Sequence, residues 1–224
     1  MDVRPESRTG VQGSVEDRRA QRRAARIASN REEILDAAER VFAEHGIAEG
    51  SLRDIAKASG FSTAAIYNYF ENRQALLAGT LVRRGAGLLE VINTAAADGV
   101  TSMDKLHRIV NATIAFFEAY PDFRQMLRSA RADKTIASVI TNYATDQLPH
   151  AAQTLALMTD IIRRGQKRGE IRDGSADALV HLYMVLVYEH VFLAAASDDP
   201  SGTLTLDQFH GVIDGALRSP VDAA

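Results

Sequence analysis

The 224-residue chain contains no cysteine. That absence excludes disulfides, thiolate metal sites and a cysteine nucleophile. Uninterrupted apolar runs are also missing. The longest, from Leu179 to Ala196, is broken by His181, Glu189 and His190, which makes it a poor membrane span. The first 20 residues hold Asp2, Arg4, Glu6, Arg8, Glu16 and Asp17, where a signal peptide would need an apolar core. No stretch alternates apolar and polar residues between turn signals, so no sheet is expected. His45, His107, His150, His181, His190 and His210 form no i,i+4 pair and no HExxH motif. There is no glycine-rich phosphate loop and no arguable Ser-His-Asp arrangement, so no metal, cofactor or catalytic site is expected. Lysine is scarce, 4 residues against 22 arginines. That ratio has the look of codon bias, so the arginine total says little about phosphate contacts.

What is present is the make-up of an ordinary soluble globular protein, 46% hydrophobic and 25% charged with a net charge of −3. The charge is unevenly placed. Residues 18–31 carry Arg18, Arg19, Arg22, Arg23, Arg26 and Arg31 and no acid, whereas residues 31–77 hold five basic and eight acidic side chains. Residues 1–17, with Pro5, Gly10 and Gly13, read as a disordered lead-in. Residues 18–30 are basic and alanine-rich and could extend the first helix backward. Two readings of residues 1–29 stay open: a solvated, unstructured arm, or an arm that follows the DNA backbone or enters the minor groove.

The rest of the chain reads as helices. Asn30 is a plausible N-cap with Glu33 as its capping-box partner. Ile34, Ala37, Ala38, Val41 and Phe42 follow at helical spacing, and Gly46 ends the helix. Ser51 caps a short helix with Leu52, Ile55 and Ala56, which Gly60 stops. Ser62 caps a third helix carrying Ile66 and Phe70, and Asn72 a fourth, running to Ala97. Ala56, Gly60 and Ile66 have the spacing of a helix-turn-helix. Ala56 is small where two helices cross, Gly60 supplies a positive φ, and Ile66 plugs the second helix into the core. The second helix can then lie in a DNA major groove. Its outward positions are Thr63, Ala64, Ala65, Tyr67, Asn68 and Tyr69: short groups allow close approach, Asn68 can pair with a base or phosphate, and the tyrosines can reach phosphate oxygens. Tyr67 and Tyr69, two residues apart, cannot both face inward.

The run REEILDAAERVFAEHG followed by SLRDIAKASGFSTAAIYNYFENRQALL resembles the DNA-binding domain of the TetR family of bacterial transcriptional regulators. The likeness covers about 47 residues: the Ile34/Ala38/Phe42/Gly46 face, the Ser51 cap, Ile55-Ala56, Gly60-Phe61-Ser62 and the Tyr67-x-Tyr69-Phe70 ending. It implies that Ser51 bonds a phosphate, that Thr63, Ala64 and Ala65 face bases, that Tyr67 and Tyr69 anchor to the backbone, and that Arg73, where the family usually has lysine, contacts a phosphate. Arg31 joins this DNA-facing set with Asn68. Two departures stand out. Gly50 replaces a frequent threonine, which should loosen the entry to the second helix, and Glu71 places a negative charge near the DNA surface.

The expected architecture is all-α: an N-terminal helix-turn-helix DNA-binding domain at residues 30–77 and a helical ligand-binding and dimerisation domain at residues 78–224. Thr113, Phe117 and Tyr120 on one helix, with Tyr143 and Tyr183 on two others, are expected to line one mostly apolar cavity for a small hydrophobic or aromatic effector. Polar groups in an apolar stripe can equally bond backbone carbonyls. The 175–196 helix is apolar nearly all round, so one side needs a partner. With the last helix it would form a two-fold, four-helix dimer interface using Leu182, Leu186, Phe209, Val212, Ile213 and Ala216. The resemblance implies a cytoplasmic homodimer on double-stranded operator DNA, with effector shifting a fourth helix made compliant by Gly79, Gly85 and Gly87, and no membrane partner. The competing readings are an all-α carrier or enzyme whose hairpin never meets DNA, and a DNA binder without an inducer.

Overall fold

The computed structural model describes residues 9–132, 149–194 and 203–220. Among these residues there are nine helices: α1 (Thr9–Glu49), α2 (Leu52–Ser59), α3 (Thr63–Ile66), α4 (Arg73–Ala97), α5 (Ser102–Ala119), α6 (Pro121–Ala132), α7 (Pro149–Lys167), α8 (Ala176–Ala194) and α9 (Leu206–Leu217). One isolated β-bridge joins Ile171 to Arg218.

The helix starts follow local side-chain chemistry. Ser51, Ser62, Asn72 and Thr101 each take extended backbone and accept the N–H three residues on, which satisfies an otherwise orphaned donor. Thr205 does the same in a full capping box with Gln208. Pro121 both ends α5 and opens α6, as suits a residue without an N–H at a first helical position.

The beginning of α1 departs from expectation. Asn30 is no cap. The helix runs unbroken from Thr9 through it, with non-helical backbone only at Gly46 (φ 82°, ψ 158°). The arm expected to be unstructured is therefore helical from Thr9 onward. Arginine and alanine are strong helix formers, and Asn30 has a distant partner that holds it within the helix. Glu33 accepts from Ser29 instead of closing a capping box.

Two apolar clusters form the core. The first joins Ile34, Ala38, Phe42, Ile55, Ile66, Phe70 and Leu76 of α1–α4 to Phe116, Phe117, Phe123, Met126 and Phe192 of α5, α6 and α8. The helix-turn-helix core is thus continuous with an aromatic cluster beyond residue 77. The second cluster gathers Leu106, Ile109, Ile162, Ile171, Val180, Tyr183 and Ile213 from α5, α7, α8 and α9. Helix α8 is long and apolar enough by composition to cross a membrane. Here it is a bundle helix, with Val180, Tyr183, Val187 and Val191 buried against its neighbours.

The residues expected at a dimer interface divide between two faces. Phe209 and Ile213 lie four apart on the side of α9 that packs into its own second cluster, so they fill this chain's core and are not presented to a partner. Leu182 (41% exposed) and Val212 (39%) point outward with Val185 and Leu193. Leu186 and Ala216 are half-buried.

Candidate nucleic-acid interface

Gly60 (φ 74°, ψ 7°) makes the bend between α2 and α3 in left-handed backbone, a conformation costly for other residues. Ala56 (5% exposed) and Ile66 (0%) seal the crossing. Helix α3 is regular only over Thr63–Ile66. It continues as hydrogen-bonded turns, Tyr67 N–H to Thr63 O (3.3 Å), Asn68 N–H to Ala65 O (3.1 Å) and Phe70 N–H to Ile66 O (3.0 Å). Tyr67 is 54% exposed. Ala64 and Asn68 are exposed, and Thr63 and Ala65 half-buried. These five residues form one outward face.

The other residues expected at DNA are engaged within the chain. The Tyr69 ring meets Phe61 edge-on at 6.2 Å, Asn30 Nδ2 donates to its hydroxyl (2.8 Å), and Arg31 donates to its carbonyl (3.0 Å). Tyr69 is a buttress between α1 and the α3 turn rather than a free anchor. The Arg31 guanidinium also lies 4.2 Å over the Phe70 ring. Arg73 donates to the Gly50 carbonyl (2.6 Å) and the Ala48 carbonyl (3.1 Å), tying the start of α4 to the α1–α2 turn. A guanidinium has five donors, so both arginines keep some for a phosphate. Ser51 accepts from the Asp54 N–H and donates its hydroxyl to the Asp54 carboxylate. That bond holds the Asp54 carboxyl below its ordinary pKa. Glu71 is exposed, as expected.

Gly50 does not loosen the entry to α2. A Cβ there would lie 2.9 Å from Phe42 Cδ1 and 3.2 Å from Val41 Cγ1, so the glycine permits a close approach of backbone to core. Gly50→Thr should therefore destabilise the protein by about 2 kcal/mol through overpacking. A denaturation midpoint unchanged from the parent would contradict this.

A second constellation connects this unit to the rest of the chain. Glu39 of α1 is only 3% exposed. Its carboxylate accepts from Arg84 Nε (2.7 Å) and NH2 (2.9 Å) in a fork and from Arg83 NH2 (3.0 Å). Arg83 also reaches Asp36 (2.7 Å) and Glu32 (3.1 Å). Burial pulls the Arg83 pKa down, but its hydrogen bonds to Glu32 and Asp36 outweigh this and leave it raised. The Arg84 guanidinium also stacks 3.7 Å over the Tyr120 ring at the end of α5. Tyr120, expected in the effector cavity, thus sits at a three-helix junction beside an open pocket of about 550 Å³ lined by Glu32, Asp36, Arg83, Arg84, Gly87 and Phe116. Sequence reading missed this ion cluster. Its signal was Glu39, four residues from Leu35 and from Ala43, both buried.

Residues 34–80 match the family model for bacterial regulatory proteins of the tetR family. The chain is 30% identical over 164 residues to the probable HTH-type transcriptional regulator ArpR of Pseudomonas putida, covering 63% of this chain and 70% of that one. The chain belongs to the TetR family. This TetR-family regulator is also 26% identical over 175 residues to the HTH-type transcriptional repressor Rv1474c of Mycobacterium tuberculosis, 78% of this chain and 87% of that one. Its fold matches the transcriptional regulator FadR from Bacillus subtilis, solved in complex with stearoyl-CoA, with a TM-score of 0.66 at 18% identity, covering 81% and 94% of the two chains. Its kinship is with transcriptional regulators, not with carriers or enzymes.

In this TetR-family chain the residues expected to line an effector cavity do not converge. Phe117 is 1% exposed and stacks on Phe123 (5.9 Å), with Phe116, Tyr188 and Phe192 edge-on at 5.6–6.3 Å. Tyr183 belongs to the other cluster, and its hydroxyl donates to the Leu106 carbonyl (2.8 Å). Burial pushes the phenols of Tyr183 and Tyr188 above their ordinary pKa. Thr113 is buried on α5, and Tyr143 lies outside the described residues. The helical stripe identified inward positions without distinguishing the two clusters they enter. Three histidines serve as packing groups. His107 stacks on His210 (4.4 Å), and His190 on Phe209 (4.1 Å).

Proposed function

We propose that this TetR-family regulator is a cytoplasmic homodimeric repressor that reads a palindromic operator with the Thr63–Asn68 face and is released by a small hydrophobic effector. The observation that carries the DNA reading is the Gly60 bend presenting Tyr67, Asn68 and Ala64 outward while Ile66 is wholly buried. Thr63, Ala64 and Ala65 approach bases, Tyr67 and Asn68 contact phosphate or base, and the spare donors of Arg31 and Arg73, with Ser51, reach phosphates. Outward Leu182, Val185, Leu193 and Val212 on α8 and α9 support a two-fold interface between copies. Recognition faces one DNA turn apart, roughly 34–36 Å, would follow from that symmetry. The unit at residues 30–77 would bind DNA and residues 78–224 would bind effector and partner.

The FadR complex with stearoyl-CoA supports an effector with a long apolar portion. For release, the effector must favour the arrangement of α4 that fits DNA poorly, and DNA must weaken effector binding by the same factor. Helix α4 carries Arg83 and Arg84 against α1, so its displacement would be felt by the DNA-reading unit directly.

A gel shift with the gene's own upstream sequence tests the DNA reading. Tyr67→Ala should weaken that shift about tenfold through loss of a charge-assisted contact, with the fold retained because the ring is exposed. Equal affinity of parent and Tyr67→Ala would remove Tyr67 from the interface. Light scattering that finds only monomer would refute the dimer. If saturating acyl-CoA, or any ligand found by thermal shift, leaves operator affinity unchanged, the release scheme fails for that ligand.

A further inference from the structure

The helix-turn-helix unit has an electrostatic deficit. Residues 31–77 carry five basic against eight acidic side chains, a net of −3, on a surface read here as facing a polyanion. The missing cations stand immediately upstream on the same helix. Arg18, Arg19, Arg22, Arg23 and Arg26 recur at spacings of three and four, and at 100° per residue they fall within an arc of about 140° on one side of α1. Ala20, Ala24, Ala25, Ile27 and Ala28 take the remainder. Every residue from Asp17 to Ser29 is exposed, and none of Arg19, Arg22, Arg23 and Arg26 has a partner among the described residues.

The position of this stripe is fixed by the body. At Asn30 and Arg31 the helix touches the hydroxyl and carbonyl of Tyr69, at the end of the α3 turn. Upstream of that contact the helix leaves the protein beside the reading face. From Asp17 to Ser29 it projects for about 20 Å.

Resting on the DNA-binding reading above, we propose that this arginine stripe is a second DNA-binding surface, which holds the phosphate backbone of the duplex outside the base-reading contacts. Guanidinium groups match phosphate oxygens in a fork. A helix of about 10–12 Å diameter is too wide for a minor groove of about 6 Å, so the arm lies along the backbone rather than within that groove. The opposite face is alanine with a single isoleucine. It lacks the bulky apolar residues that would anchor a helix in a lipid interface, which favours nucleic acid over membrane. Such contacts add affinity without sequence choice. They also bring the net charge of the combined surface from −3 to +2.

The test uses the full chain with Arg19, Arg22, Arg23 and Arg26 replaced together by alanine, which preserves helix propensity, and a matched Arg→Lys variant that preserves charge. Affinity is measured by fluorescence anisotropy between 50 and 200 mM salt, on a long duplex from the gene's upstream region and on a scrambled duplex of equal length. The plot of log K against log salt should be shallower for the alanine variant by about 3 to 4, one unit per lost phosphate contact. Across that salt range the parent should lose about a hundredfold more affinity than the variant does. Both duplexes should be affected by the same factor, and the lysine variant should follow the parent. A slope within one unit of the parent's on both duplexes overturns the proposal. So does a loss confined to the upstream sequence, which would mean base reading, or a loss confined to anionic phosphatidylserine vesicles. If the parent does not prefer its upstream sequence, the operator reading fails, while the salt slope on scrambled DNA still decides the role of the arm.

Discussion

Glu39→Ala is expected to lower stability by about 3 kcal/mol, the low end for breaking one partner out of a buried ion cluster. The reason is geometric. Glu39 is 3% exposed and accepts three hydrogen bonds from Arg83 and Arg84. Removing it leaves the Arg84 guanidinium without its forked carboxylate, with Asp36 only at 3.9 Å and the Tyr120 ring as its other neighbour. Arg83 keeps Glu32 and Asp36, so the loss falls mainly on Arg84. For a chain of this length the shift corresponds to a fall in Tm of about 6–12 °C. The double variant Glu39→Ala, Arg84→Met should recover part of the loss, because it removes the orphaned charge as well. A Tm within about 2 °C of the parent for Glu39→Ala would show that water replaces the carboxylate at little cost.

Phe117→Ala is expected to cost about 3–4 kcal/mol, the range for deleting a fully buried phenylalanine. Its ring touches four aromatic neighbours on three helices, and such pairs contribute beyond simple burial. The cluster is continuous with the core under Phe42 and Ile66, so the loss should appear as one cooperative shift of the urea midpoint. A residue lining an open effector cavity behaves differently. There, truncation would change effector affinity while costing the free protein under about 1 kcal/mol. A small stability change with a large change in ligand binding would return Phe117 to the cavity first expected of it.

The helix-turn-helix was legible because its signals are chemical and local. Ser51, Ser62 and Asn72 each cap the helix they precede, and Gly60 takes the positive φ that its place between two helices requires. The neighbouring positions that misled are those whose partners lie far along the chain. Asn30 has good capping chemistry, yet its amide meets Tyr69, 39 residues away, inside a helix that arginine and alanine favour. Gly50 read as looseness because nothing local reveals Phe42 against its backbone. Gly79 read as compliance in α4. A Cβ there would lie 3.0 Å from Leu35 and 3.1 Å from Phe70, so close packing is the stronger reason for its size. In the second half of the chain, periodicity gave the helices and their inward sides. It carries no information about which inward sides meet. Phe117 and Tyr183 were therefore assigned to one cavity although they enter different clusters, and Phe209 and Ile213 were offered to a partner although they complete this chain's own core.

Helix α1 is one rod from the arginine arm to Gly46, and its mechanical leverage follows from that. Glu39 is clasped by α4, and Arg19 lies 20 residues away along the same rod, about 30 Å. A tilt of about 10° about the clasp would sweep the arm sideways by about 5 Å, comparable to one turn of helix. A small angular disturbance from the ligand side would thus be amplified most at the end of the chain farthest from it.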